Sequence, residues 1–223
     1  MKIVEATPNK NASFNIVGNN SKLYIADDQV TKTFNQRVKW SDAANWTKLS
    51  EANHDSVVQI HSLVRNNMQC VGFTYPYEYG ETARFFLKFN FNITERRYIC
   101  NILIKIYQKM LARQTVYVNW DLDSIIIGDE IKLASPNSLR RISKKEASQY
   151  PYTNDFLLVL VSILYGFDFK NELIAENERE ILLSNVQKIL ASATYPKDAL
   201  DSLMARITDE NINDFKLARC NKN

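Results

Sequence analysis

One short segment, enclosed by two apolar helix patterns, constrains the fold of this chain more than any other. Residues 116–133 begin with a polar loop and continue with the apolar run Ile125-Ile126-Ile127, the pair Gly128-Asp129 and a second short apolar run. The pair is typical of a tight turn, because glycine adopts positive φ at little cost and aspartate can hydrogen-bond its own backbone. The segment therefore predicts a loop that leads directly into a β-hairpin.

The helix patterns on either side of this segment are strong. Upstream, residues 93–113 carry apolar side chains at helical spacing, and Asn92 and Glu95 form a capping pair. Downstream, residues 153–155 precede a buried apolar helix from Phe156 to Tyr165, which Gly166 ends. Three further helices are predicted at 177–191, 196–206 and 208–215.

The first third of the chain is rich in strands. Residues 13–17, 23–26 and 30–34 predict three short strands joined by turns, and residues 41–53 predict a helix. Residues 57–64 and 68–75 predict two more strands. Because helical periodicity replaces alternation at about residue 82, the fold class predicted is α+β.

Composition limits the classes of partner and the compartment. Apolar residues make up 45% of the chain and charged residues 24%, and a net charge of +3 is too small to indicate a nucleic-acid partner. The cysteines Cys70, Cys100 and Cys220 show no C-x-x-C spacing, so neither a zinc site nor a disulfide framework is predicted. No apolar stretch reaches transmembrane length, and a cytoplasmic location fits best, with delivery into a host cell as an effector left open.

The order of these elements resembles that of a protein kinase, from the first strands through the long helix and the hairpin to the buried apolar helix. The resemblance covers nearly the whole chain. It implies a bilobal fold, with a β-rich N-lobe at about 12–75, a hinge at about 76–80 and a helical C-lobe at about 81–215. At 223 residues the chain is short for that family.

The resemblance also implies where catalytic residues would stand. Lys32 takes the position of the lysine on the third strand, but the glycine-rich loop is absent and the partner glutamate of that lysine falls near Asn45. An ungapped alignment on the hairpin puts Asn119 at the catalytic aspartate, Ser124 at the Mg²⁺-binding asparagine and Ser135 at the aspartate of D-F-G. A second alignment matches Trp120-Asp121-Leu122 with R-D-L and makes Asp121 the base.

Two residues are candidates for structural roles. His54 lies in a segment similar to the turn after a kinase's helix C, where a hydrogen bond would fix the corner between helix and strand. Asp155 matches the aspartate that bonds the backbone of a kinase's catalytic loop, and it also suits a carboxylate at a helix N-terminus.

Two surface groups are candidates for binding. Aromatic side chains gather around the predicted hinge, although core packing is the alternative for the two phenylalanines; they are Tyr77, Tyr79, Phe85 and Phe86. The stretch 134–149 is basic and predicts either a solvated loop or a phosphate-binding patch; its cations are Arg140, Arg141, Lys144 and Lys145.

These observations support three hypotheses of function. The leading one is a catalytically inactive kinase-like (pseudokinase) interaction or regulatory module, with no metal and no resident cofactor. Its partner would be another protein. Through Lys32, the module could still bind a nucleotide weakly and without a metal ion. The second is a small atypical protein kinase that uses Lys32 and Asp121, and the third is an unrelated small α+β binding protein.

Overall fold

A computed structural model describes residues 2–5, 14–17, 21–26, 28–88, 92–149, 153–166 and 168. The chain divides into two compact units. The first unit comprises residues 1–81, 106–118 and 124–150, and the second comprises 82–105, 119–123 and 151–223. The helices predicted at 177–215, and Cys220, lie outside the described residues. The lobe boundaries expected from the sequence stay a prediction.

The first unit contains a six-stranded sheet. Its strands are β1 (Lys2–Glu5), β2 (Phe14–Val17), β3 (Ser21–Ala26), β4 (Gln29–Val38), β5 (Ser62–Asn66) and β6 (Gln69–Pro76), in the order β1-β5-β6-β4-β3-β2. All neighbouring strands are antiparallel except β1, which runs parallel to β5 with Lys2 opposite Ser62. Strands β2 to β4 and β6 confirm the sequence prediction, whereas β1 is not among the strands that the sequence predicts.

Helix α1 (Trp40–Ala52) confirms the helix predicted at 41–53 and contributes to the core against the sheet. The aromatic side chains Phe34, Trp46 and Phe73 meet there, with ring centroids 5.7–6.5 Å apart. Phe73 is fully buried, and tilted or edge-on ring pairs of this kind add to the stabilisation that burial itself provides.

The strand predicted at 57–64 is partly wrong, because β5 begins only at Ser62. The residues before it are apolar because they are buried, but their backbone bonds elsewhere. Val58 N donates to Leu133 O at 3.0 Å, and Ile60 N donates to the Ser50 hydroxyl at 3.1 Å. Buried Val58 and Ile60 alternate with exposed Gln59 and His61, and this alternation gave the appearance of a strand.

The remaining elements of the first unit are short. A two-residue strand, β7 (Glu81–Thr82), stands where the chain leaves this unit, and the later strands are β8 (Thr115–Tyr117), β9 (Ile125–Ile127), β10 (Ile131–Leu133) and β11 (Leu139–Arg141). Strands β9 and β10 form the predicted hairpin, and β11 pairs antiparallel with β8. A 3₁₀ helix, Pro136–Ser138, precedes β11.

The hairpin is confirmed, but the reason given for its glycine is wrong. Ile127 pairs with Ile131, so the turn holds Gly128, Asp129 and Glu130, and Gly128 does not have positive φ. Glycine is needed there for space, because a Cβ at Gly128 would lie 2.1 Å from the carbonyl oxygen of Tyr79. The requirement is close backbone approach rather than conformational freedom.

The second unit contains helices α2 (Ala83–Phe86) and α5 (Asn154–Tyr165) and residues 93–105 of α3 (Ile93–Ala112). Gly166 ends α5 at φ 65°, as predicted. Trp120 packs against Phe156 with ring centroids 4.5 Å apart and the ring planes tilted by 57°, and Arg96 Nη1 donates to Leu164 O at 3.1 Å. Within the ranges that the structure describes, none of the helices has the length and apolar character needed to cross a bilayer.

The basic stretch 134–149 is more ordered than a solvated loop. After the 3₁₀ turn and β11, its last residues form helix α4 (Lys144–Gln149). Buried Leu139 anchors β11, while the two arginines that follow it are exposed. One buried leucine among basic residues gave no periodic signal, which explains why the expectation of a loop was wrong.

Candidate functional site

The side chain of Lys32 is held inside the first unit. Lys32 lies in the middle of β4, opposite Leu23 of β3 and Phe73 of β6. Because side chains alternate along a strand, it shares the face of Val30 and Phe34, which belongs to the core. Its ammonium nitrogen lies 5.8 Å from the centre of the Phe34 ring. A cation is thus placed on an otherwise apolar face.

The hydrogen-bond partners of Lys32 are neutral. Its Nζ donates to Ser135 Oγ at 3.4 Å and to Asn137 Oδ1 at 3.3 Å. Among the described residues, no carboxylate lies within ion-pairing distance of it. Burial lowers the pKa of Lys32 to about 8, since desolvation disfavours the ammonium ion. Lys32 therefore stays charged at neutral pH without a counter-charge in this part of the chain.

A cluster of hydroxyl groups lies beside this lysine. Tyr117 of β8 is buried, and the hydroxyls of Ser124, Ser135 and Ser138 lie next to its phenol. Burial raises the pKa of Tyr117, and the neighbouring hydroxyls moderate that rise. The two serines placed by alignment at metal-binding positions thus come together around one tyrosine, and Ser135 also contacts Lys32.

Sequence reasoning missed Tyr117 as a member of this site. The available signal is the short alternation Val116-Tyr117-Val118, which is typical of a strand but directly adjoins the polar loop. The backbone fixes the cluster, because Val118 N donates to Ser138 O at 3.0 Å and Ala134 N donates to Ser124 O at 2.7 Å. The hydroxyls are therefore positioned by main-chain hydrogen bonds.

These residues do not fit a magnesium ion. Mg²⁺ prefers carboxylate and phosphate oxygens in octahedral geometry, whereas Ser124, Ser135 and Tyr117 offer neutral hydroxyls and Lys32 adds a positive charge. In the described part of the chain, no three histidine, cysteine, aspartate or glutamate side chains form a metal-binding group. The side chains around Lys32 are therefore unsuited to holding the metal ion that phosphoryl transfer requires.

Asp121, the alternative base, lies in the second unit and is occupied by an arginine. Arg84 of α2 places Nη2 3.5 Å from Asp121 Oδ1 and Nε 2.5 Å from Asp123 Oδ1, and its Nη1 pairs with Asp168. Asp121 Oδ1 also accepts from Asp123 N at 2.9 Å. A carboxylate already held by an arginine and by its own turn is poorly placed to accept a substrate proton.

Sequence reasoning also missed this ion-pair network. Asp168 is buried, at 4% exposure, and 84 residues separate it from Arg84. A buried aspartate needs a cation or several donors to offset its desolvation, and Arg84 supplies the cation. No local pattern links the two residues, so the sequence carried no signal for the pair.

Two other positions from the kinase alignment are exposed. Asn45, at the predicted place of the glutamate that would pair with Lys32, has an exposed side chain on α1. Asn119, at the predicted catalytic position, is also exposed and belongs to the second unit. Their equivalence to kinase residues stays a prediction.

The predicted structural residues have these surroundings. His54 follows α1, and its Nδ1 lies 3.1 Å from Glu51 O. Asp155 is half-buried in the first turn of α5, but the N-cap itself is Thr153, whose hydroxyl accepts from Phe156 N at 3.3 Å. Asp155 thus places a carboxylate at the N-terminal end of α5 without being the N-cap, and its bond to a loop backbone stays a prediction.

The aromatic candidates differ in exposure. Tyr79 is 72% exposed, packs edge-on against Tyr77 at 5.3 Å, and donates to Asp28 Oδ1 at 2.6 Å. Phe85 is 38% exposed and Phe86 is half-buried. The tyrosines belong to the first unit and the phenylalanines to the second.

Comparison with known structures identifies the fold. Two crystal structures of the Mycobacterium tuberculosis PknI kinase domain, one of them a double mutant, are similar to this chain with a TM-score of 0.55 and 13% sequence identity. The similarity covers 88% of this chain and 95% of the first structure, and 86% and 93% for the mutant. No protein-family model matches the sequence, and no curated protein matches it either.

The chain thus has a protein kinase-like fold. The α+β class and the resemblance inferred from the order of elements are confirmed. At this level of identity the similarity concerns the fold alone.

Proposed function

We propose that this protein is a catalytically inactive kinase-like module that acts through interaction with another protein. One observation carries the proposal: the strand lysine, Lys32, meets a hydroxyl and an amide, Ser135 and Asn137, where a kinase needs a carboxylate and a metal ion. The fold is retained, but none of the residues that the structure describes places a carboxylate within ion-pairing distance of this lysine.

The chemistry of phosphoryl transfer explains why this matters. Negative charge spreads over the transferred phosphoryl group, and metal ions held by carboxylate and amide oxygens neutralise it. Ser124 and Ser135 are poor ligands for Mg²⁺, and an amide at Asn119 cannot take a proton from a substrate hydroxyl. Lys32 alone would be left to neutralise the negative charge that develops on the phosphoryl group. Transfer at a meaningful rate is not expected.

Weak nucleotide binding remains compatible with the site. With a pKa of about 8, Lys32 is mainly an ammonium ion at neutral pH and offers a positive charge to a phosphate group. Such binding would be independent of metal. A bound nucleotide could then regulate the module, although the protein would not be an enzyme.

The partner that fits this proposal is another protein in the cytoplasm. Tyr79 and Phe85 are exposed aromatic side chains, a type enriched at the centres of protein interfaces. The small net charge of +3 does not favour nucleic acid. The division into lobes at about 12–75 and 81–215, with a hinge at about 76–80, belongs to the same proposal.

The test of inactivity is transfer of labelled phosphate from ATP to the protein itself and to generic protein substrates. We expect no incorporation with Mg²⁺ or with Mn²⁺. Lys32→Ala and Asp121→Ala variants are the matched controls. Incorporation by the parent that both variants lose would overturn the proposal and favour an atypical kinase that uses these two residues.

A further inference from the structure

Several exposed basic residues lie near the pairing of strands β8 and β11 in the first unit. Strand β11 pairs with β8 so that Arg141 lies opposite Thr115, and Ile142 N donates to Gln114 O at 2.9 Å. These contacts bring Arg113, just beyond the end of α3, close to the start of α4. The basic face consists of Arg113, Arg141, Lys144 and Lys145, all exposed.

The carboxylates near this face are already engaged. Asp55 accepts from Arg113 Nη1 at 2.6 Å and Nη2 at 3.0 Å, and from Lys109 at 3.4 Å. Hydrogen bonding to Arg113 holds the pKa of Asp55 well below its usual range. Glu146 accepts from Ser143 N at 2.7 Å in a capping box.

The remaining cations have no such partner in the part of the chain that the structure describes. Within those ranges, Arg141, Lys144 and Lys145 make no ion pair. The adjacent Arg140 differs, because its Nη1 donates to the carbonyls of Asn137 and Leu139 at 2.8 Å. The capping hydrogen bond does not neutralise Glu146, but Arg141, Lys144 and Lys145 outnumber it, so the face carries a net positive charge that a negatively charged surface can complement.

We propose that the basic face docks an acidic segment of a partner protein. This rests on the interaction role proposed above and not on the loss of phosphoryl transfer. Arg141 suits carboxylates, because a guanidinium can donate two parallel hydrogen bonds to one carboxylate. The two lysines on the first turn of α4 add charge without fixed geometry.

The side chains of this face favour a peptide over a membrane or a nucleic acid. Large apolar side chains that are exposed in the described part of the chain lie outside β8, β11 and α4; they are Ile3, Met68, Tyr79, Phe85 and Tyr98. The face thus offers neither an apolar wedge for a bilayer nor an aromatic platform for stacked bases. Complementary charge is what it provides.

The experiment measures binding of a fluorescein-labelled decaglutamate peptide by fluorescence anisotropy at about 50 mM salt, where surface charge is weakly screened. We compare the parent with R141E/K144E/K145E. The matched control is R37E/K39E/K48E, which changes the net charge equally at exposed positions of the same unit. We expect at least about a tenfold loss of affinity in the first variant and at most about a twofold loss in the control.

Three results would overturn the inference. They are no binding by the parent, an equal loss in both variants, and tighter binding by the parent to a 20-base-pair DNA duplex or to phosphatidylcholine vesicles containing phosphatidylserine. Circular dichroism checks that each variant folds. If the triple variant does not fold, the single variants Lys144→Glu and Lys145→Glu test the inference instead, and we expect each to lose about threefold in affinity for the peptide. The phosphate-transfer assay is independent, so failure of either proposal is distinguishable from failure of the other.

Discussion

Lys32 Nζ lies 3.4 Å from the hydroxyl of Ser135, a residue 103 positions further along the chain. The sequence alignment predicts that the first residue takes the position of a kinase's strand lysine and the second the D-F-G position after the hairpin. The fold thus brings the two positions together, but the second one carries no charge. This neutral pairing has consequences that can be measured.

A carboxylate introduced at Ser135 should restore an ion pair to Lys32. In Ser135→Asp we expect the pKa of Lys32 to rise from about 8 by about one unit or more, because an opposite charge at this distance favours the ammonium form. The measurement is an NMR titration of the lysine side chain. Ser135→Asn, which is of similar size but neutral, should leave the pKa near its present value. A similar rise in both variants would show that charge is not the cause.

The buried lysine should make stability depend on pH in the alkaline range. The pKa of Lys32 is about 8 in the folded protein and about 10.4 in an unfolded chain. Between these values the unfolded state binds more protons, so raising the pH stabilises the folded state. We expect a gain on the order of 2 kcal/mol between pH 8 and 10.5, after allowance for partial exposure of the side chain.

The comparison for this pH effect is Lys32→Met, whose side chain is also unbranched and only one heavy atom shorter but cannot titrate. The free energy of unfolding of the parent should rise relative to this variant as the pH increases. Denaturant titrations at intervals from pH 7 to 10.5 supply the values. Parallel curves for the two proteins would show that Lys32 is not desolvated in the folded state.

Arg84 should stabilise the second unit through Asp168. Arg84→Ala leaves a carboxylate that is only 4% exposed without its arginine, so we expect a loss of about 1–3 kcal/mol. Asp123→Asn removes a pair whose carboxylate is 60% exposed and should cost less than about 1 kcal/mol. Chemical denaturation measures both. If Arg84→Ala and Asp123→Asn had equal effects, the buried pair would not be the source of stability.

The N-cap of α5 should be the Thr153 hydroxyl. Thr153→Ala removes the acceptor of the Phe156 N–H and should destabilise the protein by about 1 kcal/mol, whereas Thr153→Ser keeps that acceptor and should have little effect. Thermal unfolding followed by circular dichroism distinguishes the two variants. Identical melting curves for Thr153→Ala and the parent would mean that water replaces the cap without cost.

Local signals predicted much of the fold. Helix α5 follows from an apolar run, interrupted only by Ser162, between a polar cap and Gly166, and α3 follows from helical spacing, because both patterns depend only on residues close in sequence. The hairpin followed from two apolar runs around a turn pair. The role of Gly128 did not, because it depends on the distant carbonyl of Tyr79.

The site itself was harder to predict. The position of Lys32 came from alignment, but no sequence pattern indicates that Ser124 and Ser135 gather around Tyr117. The pairing of Arg84 with Asp168 and the parallel pairing of β1 with β5 are likewise contacts between distant segments. Side-chain periodicity reports which face is buried and not which residue lies opposite, so these contacts required the structure.

The most direct test of the central claim is the effect of Mg²⁺ on ATP binding, measured by isothermal titration calorimetry at neutral pH. A site of neutral hydroxyls around Lys32 should bind ATP weakly or not at all, and Mg²⁺ should change the Kd by no more than about threefold. A Kd that Mg²⁺ improves by about tenfold or more, with the improvement lost in a Ser124→Ala/Ser135→Ala variant, would contradict the account.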